Sequence, residues 1–200
     1  MPKTQILFIH GGMAFDNRRQ YLDYLKKRPI SIKKKNKWSG DFLDKGLGKK
    51  FEIIRPQMPL RENANYQDWA IHFERFFPFL RSDVILVGNS MGGIFLAQYL
   101  SEHKFPKKLL SVYLLGTPFF NKRAPHGFRL KSDLSLLEKN TKNLYLLFSA
   151  QDDVVPVEHA EKYRAKLKKA KIIIYKNIKG HFQVAKFPEI VKLIKSDVKK

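Results

Sequence analysis

Two hundred residues, 44% hydrophobic and 28% charged, suit one sizeable soluble core and are too few for two. No window approaches the ~18 consecutive apolar residues of a membrane span, the apolar run in MPKTQILFIHGG reads as too short for a signal-peptide core, and the lack of Cys excludes disulfides, thiolate chemistry and Cys-based zinc. The formal net charge of +21 is the unusual quantity, and it suits non-specific attraction to nucleic acid, polyanions or anionic membrane surfaces.

In chain order, the first apolar run is ILFIH (6–10), which ends in a Gly pair and leads to a helical pattern over 16–28. Residues 29–50, PISIKKKNKWSGDFLDKGLGKK, are basic and Gly-containing and read as a surface excursion. FEIIR (51–55) is the second strand, and the turn-rich RENAN precedes a helix over 66–81. DVILVG (83–88) is the third strand, with a helix over 91–103 after it. LLSVYLLG (109–116) is the fourth, followed by TPFFNKRAPHGFRLK (117–131), which carries three Phe, and a helix over 132–140. NLYLLFS (143–149) and KIIIYK (171–176) complete the strands, with helices over 157–169, opening after Pro156, and over 186–198.

These runs lack clean polar alternation, as strands buried on both faces do. Strand and helix alternate from end to end without a repeat, low-complexity tract or linker. The expectation is one α/β domain over 1–200, a parallel sheet with helices on both faces. Lysines decorate most of the helices, with a denser loop at SIKKKNK (31–37). No RNA-binding aromatic signature, helix-turn-helix pattern or zinc spacing accompanies them, so the charge reads as compositional drift over solvated faces, not as specific nucleic-acid binding.

The stretch VILVGNSMGGIFLAQYL (84–100) holds the candidate chemistry. A strand turns into a helix through Gly-Asn-Ser-Met-Gly, the arrangement of a nucleophile elbow. Ser90 stands at the tip, Gly88 and Gly92 give room where strand and helix approach, and Gly93 permits closer packing. The pattern G-x-S-x-G alone is a weak signal, and a Ser hydroxyl needs a base and an acid to orient that base. Of six His, His181 in KNIKGHFQ follows the sixth strand and falls on the same sheet edge as Ser90. His10 reads as shaping a turn, while His72, His103, His126 and His159 read as surface or packing residues. The acid comes from Asp152 or Asp153 in LLFSAQDDVVP, just after the fifth strand. The backbone N–H groups of Met91 and of Gly12, ahead of Met13, are the candidates to hold an oxyanion.

HGG after the first strand, GNSMGG at the elbow, QDDVVP after the fifth strand and GHF after the sixth resemble the blocks of the α/β-hydrolases, in order and over nearly the whole chain. That family's acid stands in D-x-x-V-P, which selects Asp152, and its chain order is Ser, Asp, His. Small size and the GHF ending are similar to compact serine hydrolases of the retinoblastoma-binding protein nine type; the elbow departs from that type, which would have His after the first Gly and no Met. The resemblance implies six parallel strands in order 2-1-3-4-5-6 and no large cap domain. It further implies a serine hydrolase that cleaves a carboxylic ester or thioester, or an amide, through Ser90, His181 and Asp152, without metal or organic cofactor. Phe119, Phe120 and Phe128 are candidates to line an acyl pocket. The expected partners are a small acyl substrate and, non-specifically, anionic surfaces; the expected location is the cytoplasm. The competing expectation is an inactive hydrolase fold that binds anionic partners through its basic surface.

Overall fold

Each strand divides its side chains between two cores, which is why polar alternation is missing from the sequence. The computed structural model describes residues 2–33, 36–120 and 125–199. Its strands are β1 (Thr4–Ile9), β2 (Phe51–Ile54), β3 (Val84–Asn89), β4 (Leu109–Leu115), β5 (Thr141–Gln151) and β6 (Lys171–Lys179). They form a single parallel sheet in the order β2-β1-β3-β4-β5-β6, the order the resemblance implied. Along β1, Leu7 and Ile9 enter one core while Ile6 and Phe8 enter the other; β4 divides Val112 and Leu114 from Tyr113 and Leu115 in the same way.

The helices are α1 (Arg18–Lys27), α2 (Leu43–Leu47), α3 (Tyr66–Glu74), α4 (Met91–Glu102), α5 (Ser135–Lys139), α6 (Glu158–Arg164) and α7 (Pro188–Val198). The first core is closed by α3, α4, α5 and α6, and the second by α2 and α7. Helix α1 buries no side chain fully. Among the described residues, no helix is long and apolar enough to cross a membrane.

The helix expected over 66–81 stops at Glu74. It starts where Asn65 accepts hydrogen bonds from the N–H groups of Gln67 and Asp68. Pro78, which has no N–H and clashes with a preceding helical turn, leaves only a 3-10 turn at Phe77–Phe79.

Residues 29–50 correct the expectation of a surface excursion. Residues 29–33 are exposed, but Trp38 is 2% exposed, and Leu43 and Leu47 are buried in the second core. The Trp38 ring packs edge-on against Phe8 at 5.8 Å and Phe187 at 5.5 Å. Helix α2 lies so close to α7 that a Cβ on Gly46 would come 2.9 Å from Val191 Cγ2.

A second unexpected feature holds α7 to the sheet. Asp197 is 1% exposed, and its carboxylate accepts hydrogen bonds from Ser111 (2.5 Å), Tyr113 (2.7 Å) and Tyr145 (2.9 Å) hydroxyls. Burial and the hydrogen bond to Asp197 push both tyrosine pKa values well up, and the two rings stack at 4.7 Å.

Candidate active site

The turn between β3 and α4 is built from close approaches. A Cβ on Gly88 would lie 2.5 Å from the Gly92 carbonyl oxygen, and one on Gly92 would lie 2.3 Å from that of Ile9. One on Gly93 would fall 2.0 Å from Thr117 Oγ1. With strand and helix pressed together, Ser90 takes φ 55°, ψ −118°, a region that costs a non-Gly residue ~1–3 kcal/mol. The conformation is held by the Ser90 N–H donating to Leu115 O (2.7 Å) and by the Ser90 carbonyl accepting from Gly93 and Ile94 N–H.

His181 is presented by a tight turn beyond β6. Its neighbours Gly180 and Phe182 both have positive φ, 57° and 50°. The Phe182 N–H donates to Gly180 O (2.9 Å), and the Phe182 ring is buried against Phe187. His181 Nδ1 donates to Asp152 Oδ2 at 2.7 Å. The other oxygen, Asp152 Oδ1, accepts from the N–H groups of Val154 (2.9 Å) and Val155 (2.8 Å). Asp153, which the sequence left as an alternative, is exposed. The Asp152 side chain is fully buried and that of His181 is 11% exposed. Burial pushes the Asp152 carboxyl pKa up, but the hydrogen bonds from His181 and the two backbone N–H groups, with the His181 charge, outweigh it and hold the pKa below 3.8. His181 Nε2 is buried without a hydrogen-bond partner.

Gly116, at the end of β4, was not singled out by its sequence context, which shows only a Gly after a strand. Its φ is +49°, and a Cβ there would lie 2.8 Å from His181 Cε1 and 3.4 Å from Asp152 Oδ2. It clears the space that the His181–Asp152 pair occupies.

The loop after β1 borders Ser90: a Cβ on Gly11 would lie 3.2 Å from Ser90 Cβ. The Met13 N–H is already taken by Arg61 O (2.9 Å), which leaves Gly12 as the candidate donor on this loop. Met91 is the first residue of α4, where an N–H has no intrahelical acceptor. His10 locks the loop: Nδ1 donates to Gly11 O (2.8 Å) and Nε2 accepts from Met58 N–H (3.0 Å).

Of the three Phe expected to line a pocket, Phe128 has no exposed surface and packs against Trp69 (5.5 Å) and Tyr66 (6.0 Å), so it belongs to the core and not to a pocket wall. Phe119 is buried against Tyr163, with its N–H donating to His159 Nδ1 (2.7 Å). Phe120 is half-buried against the same core. Among the described residues, no three His, Asp or Glu side chains gather as a metal site.

By sequence, the chain matches no protein-family model and no curated protein. By structure it is similar to the ydeN gene product from B. subtilis, at 17% identity and TM-score 0.74, covering 99% of this chain and 100% of that one. Est1E from Butyrivibrio proteoclasticus is similar at 13% identity and TM-score 0.61, over 100% and 90% of the two chains. MGS-MChE2, an alpha/beta hydrolase enzyme from the metagenome of lagoon sediments of Mar Chica, Morocco, is similar at 18% identity and TM-score 0.58, over 98% and 91%. The fold is that of the α/β-hydrolases, as a single small domain with only residues 116–134 between β4 and α5.

Proposed function

We propose that the protein is a serine hydrolase that cleaves a carboxylic ester or thioester, with amides within reach of the same chemistry. The observation that carries this reading is the His181–Asp152 hydrogen bond of 2.7 Å, with His181 Nε2 left unpartnered on the sheet edge where Ser90 is held at φ 55°. Descriptions of structural neighbours as an esterase domain, a serine hydrolase and a lipase-esterase related protein support the class of reaction.

In this mechanism His181 Nε2 takes the Ser90 hydroxyl proton as Oγ bonds to the substrate carbonyl carbon. The carbonyl electron pair moves onto oxygen, and the N–H groups of Met91 and Gly12 hold that oxyanion. Collapse breaks the C–O or C–S bond, and the leaving group takes the proton from His181. Water then attacks the acyl-Ser90 carbonyl, giving a proton to His181, and Ser90 leaves as the hydroxyl while the acid is released. Asp152 stays ionised throughout, fixing the imidazole with its proton on Nδ1 and stabilising the imidazolium. No metal or organic cofactor takes part, and a cytoplasmic location belongs to the same proposal.

The test is intact-mass spectrometry after exposure to a fluorophosphonate. One adduct is expected on the wild type, none on Ser90→Ala, and labelling slowed by about a thousandfold or more on His181→Asn. Folded wild type that takes no adduct would refute the reading and favour the inactive, anion-binding alternative.

A further inference from the structure

The segment that follows α1 carries two isoleucines that stand in solvent: Ile30 is 86% exposed and Ile32 is 100% exposed. They are not isolated. Of the ten exposed large hydrophobics among the described residues, Met13, Leu22, Ile30, Ile32 and Leu60 lie on this segment, on α1 or on the loop tied to them. The ties are explicit. Met13 exchanges backbone hydrogen bonds with Arg61 and Ala64, and Arg28 pairs with Glu62. This is also the rim that carries Gly11 against Ser90. Exposed cations are interleaved with the apolar groups: Arg18, Arg19, Lys26, Lys27 and Lys33, against Asp16 and Asp23.

Cations alone would suit any polyanion. Bare aliphatic side chains between them are rewarded only where an apolar phase lies directly behind negative charge, which is the layering of an anionic bilayer surface. A helix with basic and aromatic residues but no buried one, followed by exposed isoleucines, has the composition of an interfacial element and not of a core helix. We propose that residues 18–33 dock the protein on an anionic phospholipid membrane, with Ile30 and Ile32 entering the headgroup–acyl boundary and the cations meeting lipid phosphates. The rim of Ser90 is thereby brought to the bilayer, so the acyl substrate is one presented by lipid. That last step rests on the hydrolase reading; the docking does not.

The test is co-sedimentation with phosphatidylcholine vesicles, with and without one quarter phosphatidylserine. Wild type and Ser90→Ala are expected to bind the anionic vesicles alike and the neutral ones weakly. The double variant Ile30→Ser/Ile32→Ser is expected to bind at least about tenfold more weakly, with fluorophosphonate labelling unchanged. Lys26→Gln/Lys27→Gln should lose about fivefold per charge, and salt should weaken the wild type steeply. No binding to anionic vesicles would overturn the proposal. So would binding that the isoleucine variant retains in full, or equal affinity for single-stranded RNA, since either would reduce the surface to a generic polyanion site. Vesicle binding with no fluorophosphonate adduct would keep the docking and remove the hydrolase reading.

Discussion

Gly116 and His181 touch so closely that no side chain fits between them: a Cβ at 116 would lie 2.8 Å from Cε1 and 3.1 Å from Nδ1. Gly116→Ala should therefore displace the imidazole, in addition to straining a backbone at φ +49°. A misplacement of about 1 Å costs on the order of a hundredfold in rate. We expect fluorophosphonate labelling to fall by about that factor while the protein remains folded by circular dichroism. Labelling at the wild-type rate would mean that the pair tolerates movement.

The packing of Trp38 gives a contrast within one segment. Trp38→Ala removes a ring held between Phe8 and Phe187 and should cost about 3–5 kcal/mol in urea unfolding. Ile32→Ser, a few residues earlier and fully exposed, should change stability by less than about 0.5 kcal/mol. Similar costs for the two would contradict the division of residues 29–50 into an exposed and a packed half.

Asp197 anchors the last helix through three hydroxyl donors. Asp197→Ala leaves those buried donors unmatched and should destabilise by about 3 kcal/mol or more, whereas Tyr113→Phe, which removes one donor, should cost about 1 kcal/mol. Equilibrium unfolding of the two variants checks the ratio, and a neutral Asp197→Ala would show that the network is dispensable.

Stability should fall as the pH drops below about 6.5. Burial holds the pKa of His10 and of His159 below 6.5, helped by the charges of Arg61 and Lys162 respectively. One nitrogen of each ring accepts a backbone N–H, from Met58 to His10 Nε2 and from Phe119 to His159 Nδ1, and protonation would turn that acceptor into a donor facing a donor. The neutral forms contribute fully above the unfolded value of 6.5; below it the unfolded chain takes up protons first, until the pH passes the folded values. The lowered carboxyl of Asp152 acts in the same direction at lower pH, below 3.8. Urea midpoints measured across this range should decline towards acid, and less steeply in His10→Gln or His159→Gln. A flat profile in the wild type would exclude the effect.

The strands and the Ser90 turn were legible because their signals are local: apolar runs set a strand, and the glycines at 88, 92 and 93 mark backbone approaches that no other residue permits. Trp38, Leu43 and Leu47 were hidden among lysines and glycines, since their burial depends on α7, which lies far off in sequence. The same distance conceals Asp197, an acid in a lysine-rich last helix whose partners sit on β4 and β5. Between Asp152 and Asp153 the residues alone left the choice open and the family pattern D-x-x-V-P pointed to Asp152; in the structure Asp152 pairs with His181 and Asp153 is exposed. Phe128 looked like a pocket residue because it lies in a rim loop, yet it fills a gap beside Trp69.

His181 is carried just past β6, the strand at one margin of the sheet, which pairs with β5 alone and is largely exposed. Ser90, by contrast, follows a strand flanked on both sides and fully buried over Val84–Gly88. His181 and Ser90 thus belong to regions of unequal resistance to opening. Peeling β6 from β5 would part His181 from Asp152 and draw Ile178 and Phe182 out of the second core, while the Ser90 turn and the buried members of the first core stayed in place. On gentle heating, fluorophosphonate labelling of Ser90 should therefore fail while most of the helical and sheet signal persists.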